Sequence, residues 1–306
     1  MRGRLERALQ RHPAVMERLR RLLVENQTFA DVMWVVRGRQ VAVLDYPVRQ
    51  RPRYVQGAAP HPGLHALISR NDEAYADLLD RGRKYHEALA AIPVRSPEVT
   101  SGPTWINGWL PPMDMVVNYT LLAEERPARY VEIGSGESTK LARRAITDGG
   151  LRTELTSIDP HPRAEVDPLC DRVVRTTLED SDLSIFDEVG AGDVVFFDGS
   201  HRSFMNSDVT VFFLEVLPNL PRGVTVGLHD IELPWDYPAS WAQRFYNEQY
   251  LLAVHLLTRD DPASIVLPVR YVADTPALAE ITRDLWRDPR LAELPRPVGG
   301  GFWFRT

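Results

Sequence analysis

The chain has 306 residues, 44% of them hydrophobic, enough to bury one large core and a smaller appendage. No apolar run reaches the ~18 residues a membrane span needs, no signal peptide opens the chain, and one cysteine, Cys170, excludes an internal disulfide or a multi-cysteine zinc site. The expectation is a cytoplasmic protein with no membrane span.

Net charge is −6, unevenly spread: residues 1–53 hold twelve arginines against five acids, so this arm is +7 and the remainder −13. A basic arm can meet phosphates, anionic glycans or a membrane surface. Arginine is also simply this protein's cation, because Lys84 and Lys140 are its only lysines.

Leu5, Leu9, Met16, Leu19 and Leu23 form an apolar helical stripe, with Pro13 as the first residue of a second helix over 13–25. MWVV and VAVLDYPV flank Arg37-Gly38-Arg39-Gln40 as a hairpin outside the main sheet. Residues 51–63 read as a loop, and Asn71 is expected to cap a helix running to Ala91. Prolines and a glycine over 93–104 suggest the domain boundary: an N-terminal helix/hairpin/helix extension, 1–100, then a second, larger domain, 101–306.

From there strand and helix alternate. Pro111-Pro112 leads a helix to Glu125, and strands are expected at 130–133, 153–158, 172–175, 193–197 and 224–228. Helices are expected between them at 137–148, 163–170, 181–189 and 203–217. Late strands at Ile265–Val272 and Gly301–Arg305 bracket a helix from Pro276 to Trp286. This order predicts an α/β fold with a doubly wound, mostly parallel sheet.

Ligands of such sheets bind outside the carboxyl ends of the strands. Glu132, Asp159, Asp198, His229 and Asp230 all fall in or just past strand ends. In Tyr130–Arg144, YVEIGSGESTKLARR, a strand runs into Gly134-Ser135-Gly136 and then a helix, the pattern of a nucleotide-cofactor loop. A lone GxG is common in α/β turns. Glu132 narrows it: a pyrophosphate disfavours a carboxylate there, whereas the amino group and sulfonium of S-adenosylmethionine suit it. Asp159, some 25 residues beyond Gly134, stands where a carboxylate takes ribose hydroxyls, or it caps the next turn ahead of Pro160. Glu179 borders the adenine or caps a helix.

The stretches NGWLPPMD, YVEIGSGEST, SIDPHPR, AGDVVFFDGSH, HDIELPWDYP and FYNEQYLL together resemble the class I S-adenosylmethionine-dependent methyltransferases, over roughly the last two thirds of the chain. The resemblance implies a seven-stranded sheet whose last two strands form a reversed edge. It also implies a cofactor, S-adenosylmethionine, contacted by Glu132, Gly134, Ser135, Gly136 and Asp159, with Asp198 beside them.

Methyl transfer to a hydroxyl requires alignment and loss of the acceptor's proton. His201 and His229 are the candidate bases, with Asp230 alongside; each histidine can equally be bound to a loop carbonyl. A competing arrangement has Asp198 and Asp230 holding magnesium, although no clear third oxygen ligand follows. The Asn/Asp-Pro-Pro-aromatic loop used for nitrogen acceptors is replaced by Asp198-Gly199-Ser200-His201, and no basic-aromatic stripe for nucleic acid lies near the site. The expected acceptor is a hydroxylated small molecule or a glycan. Trp235 and Tyr237 are expected to line its pocket, Trp241 and Phe245 to pack on the sheet, and the Trp105–Trp109 loop to close over the cofactor. Alternatives are a Rossmann-like cofactor-binding protein without transferase activity, a nucleotide-dependent oxidoreductase, or an assembly partner acting through its basic arm.

Overall fold

A computed structural model describes residues 46, 48–96, 102–295 and 297–306. The expected stripe over 5–23 lies outside the described residues, and the hairpin over 33–48 almost wholly so. The chain divides into two compact units, Met1–Arg51 and Pro52–Thr306. Every strand and helix among the described residues belongs to the second unit. The helices after residue 61 therefore share a unit with the sheet, whereas the sequence pattern placed the boundary near residue 100.

Seven strands form one sheet: β1 (Arg129–Ile133), β2 (Glu154–Ile158), β3 (Arg172–Val174), β4 (Val194–Phe197), β5 (Thr225–Leu228), β6 (Ile265–Pro268) and β7 (Phe302–Arg305). Their order is β3-β2-β1-β4-β5-β7-β6. β1 to β5 pair in parallel, and β7 runs antiparallel to both β5 and β6. Only β7 is reversed, a correction to the expected pair of reversed strands. This is a doubly wound, mostly parallel α/β sheet. β6 also ends earlier than expected. Pro268 lacks the N–H a ladder needs, and Val269–Asp274 turns helical.

Before the sheet come α1 (Pro62–Ile68), α2 (Asp72–Gly82) and α3 (His86–Ala90). Asn71 does not cap α2 with its side chain; its amide donates to the Ile265 carbonyl at 2.7 Å, which fixes the helix to β6. Next is α4 (Pro112–Glu125), buried continuously from Pro112 to Ala123, which explains its weakly amphipathic sequence. After β1, α5 (Glu137–Asp148) is amphipathic and buries Leu141, Ala142, Ala145 and Ile146. The helix expected at 163–170 is only a 3-10 turn, Asp167–Leu169, and that at 181–189 a 3-10 helix, Leu183–Glu188. The helix expected from 203 begins at Asp208 and passes into a wider π turn over Phe212–Val216. Beyond β5 comes α6 (Glu248–Arg259), whose His255 ring lies 5.7 Å from Phe304 of β7.

Aromatic rings hold the two halves of the sheet together. Phe196 of β4 stacks on Trp303 of β7 at 5.4 Å, across the intervening β5. Gly227 makes this contact feasible: a Cβ there would lie 2.6 Å from Trp303 and 2.8 Å from Phe196. Phe197 stacks on Phe212 at 4.4 Å on the way to the same strand end. Each buried ring contributes about 1.5–3 kcal/mol, so the strand ends carrying the polar residues are rigidly mounted.

Candidate active site

The glycine turn after β1 is built against the end of β4. Gly134 has φ +81°, and a Cβ on it would meet the Asp198 carbonyl oxygen at 1.9 Å, so only glycine fits. Its N–H donates to the Ile158 carbonyl at 3.0 Å, and Asp198 N donates to the Ile133 carbonyl at 2.8 Å. Gly136 differs: a Cβ there would meet nothing within 4 Å, which leaves open space beside the start of α5.

Asp159 clamps this turn. Its carboxylate accepts from Ser135 N at 2.7 Å and from His161 N at 2.7 Å, while the Ser135 and Ser157 hydroxyls meet at 2.6 Å. The Arg163 N–H then reaches back to the Ser135 carbonyl, and its guanidinium lies 4.2 Å from the exposed Trp109 ring. Of the loop expected to close over this region, only the Trp109 end lies near it. Trp105 is buried, its indole N–H donating to Leu89 O. Glu179 lies on a 3-10 turn, Leu178–Asp180, with one carboxylate oxygen buried and unpaired.

Glu132 is fully buried in β1. One oxygen accepts from Thr139 Oγ1 at 2.5 Å, and Thr139 in turn accepts from Gly136 N at 2.9 Å. The other oxygen, Oε1, has no hydrogen-bond partner. Burial pushes this carboxyl up, the Ser138 and Thr139 contacts draw it back, and Asp198 and Asp159 push it up again, to about 8 in all. Glu132 is therefore largely protonated near neutral pH. An unpaired, desolvated carboxyl of this kind regains its charge when a cation arrives.

A second group lies across the ends of β4 and β5. His201 places Nε2 3.3 Å from Asp198 and 3.5 Å from Asp230, and its Nδ1 contacts Glu248 at 2.9 Å. His229 places Nδ1 3.4 Å from Asp198 and 3.7 Å from Asp230, with Nε2 3.5 Å from Asp114. The structure thus brings together Asp198, His201, His229 and Asp230. His201 and Asp230 both hold left-handed backbone, φ 60° and 55°, a conformation that costs about 1–3 kcal/mol per residue.

Burial disfavours the charged imidazoles, but Asp198 and Glu248 more than reverse this for His201, and Asp198, Asp114 and Asp230 for His229. Both are raised well above 6.5. Burial likewise pushes Asp198 up, and the two imidazoles more than offset it, holding the carboxylate far below its usual range. Glu248 moves the other way: burial lifts it to about 7 despite its His201 contact. Among the described residues no three His, Cys, Asp or Glu side chains are disposed to hold a metal ion.

Asp114 and Glu248 do not stand out in the sequence, although both lie inside motifs that carry the family resemblance. Each stands in the first turn of a helix, where an acid is expected on dipole grounds alone. Both are 0% exposed. Asp114 accepts from Gly300 N at 2.9 Å and Gly301 N at 2.7 Å. A Cβ on Gly299 or Gly301 would sit within 2.8 Å of its carboxylate, so the triple glycine is shaped around it.

The aromatic segment departs from expectation. Tyr237 is buried, 5.9 Å from the Trp241, Tyr246 and Tyr250 rings, and Trp235 donates to Ala58 O. Both serve packing at least as much as a pocket wall. Phe245, expected to pack on the sheet, follows the end of a 3-10 helix, Ala239–Arg244, in left-handed backbone and is 41% exposed.

The family model described as a methyltransferase domain matches residues 131–231. Among solved structures, the O-methyltransferase TomG of Streptomyces achromogenes, involved in tomaymycin synthesis and solved with SAM, is 18% identical, covering 64% of this chain and 88% of its own, with a TM-score of 0.33. The plantazolicin methyltransferase BpumL, solved with SAH, is 10% identical, covering 79% and 99%, with a TM-score of 0.33. A putative protein-L-isoaspartate O-methyltransferase of Plasmodium falciparum is 11% identical, covering 56% and 84%, with a TM-score of 0.30. No curated protein matches significantly.

Proposed function

From the sheet order and the methyltransferase domain model matched over residues 131–231, we propose an S-adenosylmethionine-dependent O-methyltransferase acting on a hydroxylated small molecule or sugar. The observation that carries this reading is Glu132, a fully buried carboxyl with an unpaired oxygen beside the glycine turn. It suits a cationic ligand and not a pyrophosphate. The open space at Gly136 gives that ligand an approach to the backbone. Glu132, Gly134, Ser135, Gly136 and Asp159 would hold the cofactor, Asp198 would border it, and Glu179 would reach its adenine end. When bound, S-adenosylmethionine supplies an electrophilic methyl on a sulfonium.

Methylating a hydroxyl forms one C–O bond, breaks one S–C bond and frees one proton. His201 receives that proton at Nε2, the nitrogen facing Asp198 and Asp230. It rests as an imidazolium, so it accepts only after its Nε2 proton has left to solvent; Nδ1–H stays donated to Glu248, 2.9 Å away, which stabilises the imidazolium that re-forms. This needs Glu248 ionised, and its carboxyl titrates near 7. The base is therefore the His201–Glu248 pair, with Asp230 orienting it. His229, anchored by Asp114, holds Asp198 in its charged form.

Calorimetry with S-adenosylmethionine and with NAD tests the reading. Saturable binding of the former is expected, and binding of NAD alone overturns it. A labelled-methyl screen of hydroxylated compounds and glycans then identifies the acceptor.

A further inference from the structure

Two loops project from the same strand ends as the histidine cluster, one after β4 and one after β5. Arg202 follows His201 directly, and Arg244 ends the 3-10 helix of the second loop. Their guanidinium groups both lie against the Tyr246 ring, 5.1 Å and 5.5 Å from its centroid, and Arg244 also lies 4.4 Å from the Trp241 ring. Tyr246 is in turn 4.6 Å from the His201 ring. A single aromatic side chain thus links two cations to the proposed base.

Neither cation has a carboxylate partner among the described residues. Arg202 donates to the backbone carbonyls of Arg244 and Ser200, which ties the loops together but cancels no charge. The Arg244 side chain is held, among the described residues, by its two ring contacts. Most other arginines of this acidic unit are matched: Arg129, Arg143, Arg144, Arg172, Arg175 and Arg270 all meet carboxylates. Stacking on a ring stabilises a guanidinium while leaving its outer donors available. Two like charges beside one ring repel, and a bound anion relieves this. The rim is also apolar, with Phe204, Met205 and Phe245 exposed by 53%, 98% and 41%.

We infer that Arg202 and Arg244 form an anion subsite for the acceptor, which carries a phosphate or carboxylate on an apolar body with its hydroxyl directed to His201. This rests on the methyltransferase reading and narrows its substrate class. The arginines bind and position; they take no part in proton transfer.

Phenyl phosphate, benzoate and phenol serve as probes against the protein loaded with S-adenosylhomocysteine, by titration calorimetry. At least one anion is expected to bind tenfold or more tighter than phenol, and the tighter one identifies the preferred group. Arg244→Gln should remove most of that preference and Arg244→Glu all of it, with S-adenosylhomocysteine affinity unchanged. Because the Arg244 side chain makes ring contacts rather than structural hydrogen bonds, these variants leave the fold intact; Arg202→Lys, which keeps charge but loses the planar stack, should fall between. Equal binding of phenol and both anions, or an anion preference that survives Arg244→Glu, overturns the inference alone. Failure of S-adenosylhomocysteine to bind overturns this inference and the methyltransferase reading together.

Discussion

The two halves of the candidate site handle buried charge in opposite ways. At the glycine turn a lone carboxyl, Glu132, is desolvated with one oxygen unpaired and no cation beside it. Across the ends of β4 and β5, four carboxylates face two imidazoles at 2.9–3.7 Å. The first half has no opposite charge of its own; in the second every carboxylate meets an imidazole, although Glu248 Oε1 and His229 Nε2 make no hydrogen bond. A substitution in the cluster should therefore register in folding, and one at Glu132 in binding.

The largest expected effect breaks the cluster. Asp114→Ala leaves Gly300 N and Gly301 N without an acceptor and removes the carboxylate facing His229 Nε2. Removing one partner of a buried charged pair costs about 3–5 kcal/mol, to be read as a shift in urea midpoint. A loss below about 0.5 kcal/mol, the level of a simple surface change, would mean the glycine segment is held by something else. At the other pole, Glu132→Gln should leave stability unchanged or raised near neutral pH, because the wild-type group already carries a proton there. It should weaken S-adenosylmethionine binding by about 2–3 kcal/mol, or 30- to 150-fold. Calorimetry and melting on the same sample decide whether the two readouts separate.

The contrast also explains what could be read from sequence. Glu132 was legible because an acid inside an apolar strand before a glycine turn breaks the local pattern. The strand-end residues Asp159, Asp198, His201, His229 and Asp230 were legible because the alternation of strands and helices fixes where each strand stops. Asp114 and Glu248 conform to the rule for helix first turns, so nothing marked them until their burial was visible. The Asn71 amide was similarly hidden, since its partner, the Ile265 carbonyl, is 194 positions away. Reversal of β7 alone depends on the crossing from β6, which local periodicity does not encode.

A smaller effect sharpens the comparison inside the cluster. Glu248→Gln preserves a hydrogen-bonding group opposite His201 Nδ1 but carries no charge to stabilise the imidazolium. With an acceptor in hand, kcat should fall about tenfold, within the range for impaired general base catalysis. The cofactor KM should stay constant, and the ionisation near 7 should vanish from the pH–rate profile. A purely structural Glu248 would lower stability and leave that profile unchanged.

The smallest effect is a proton count, and it sets the two halves against each other in pH. Glu132 is raised from 4.5 to about 8, so the folded protein holds its proton more tightly than the unfolded chain. Its contribution to stability is full below 4.5 and is lost as pH rises through 8. Asp198, lowered by the imidazoles, contributes above 3.8 and loses that contribution as pH falls toward its depressed value. The histidines contribute fully below 6.5 and lose it as pH rises from there through their raised values. From pH 5 to 6.5 the Asp198–histidine pairing should therefore hold while Glu132 weakens the fold. Binding runs the other way at Glu132, since a cation needs the ionised carboxylate. Near neutral pH, S-adenosylmethionine should expel up to one proton on binding, and its affinity should climb by up to tenfold per pH unit until about 8. Calorimetry in buffers of different ionisation enthalpy reads that proton directly, and Glu132→Gln should abolish it. A release that persists in the variant would assign the proton to the histidine cluster instead, and with it the electrostatic response to the cofactor.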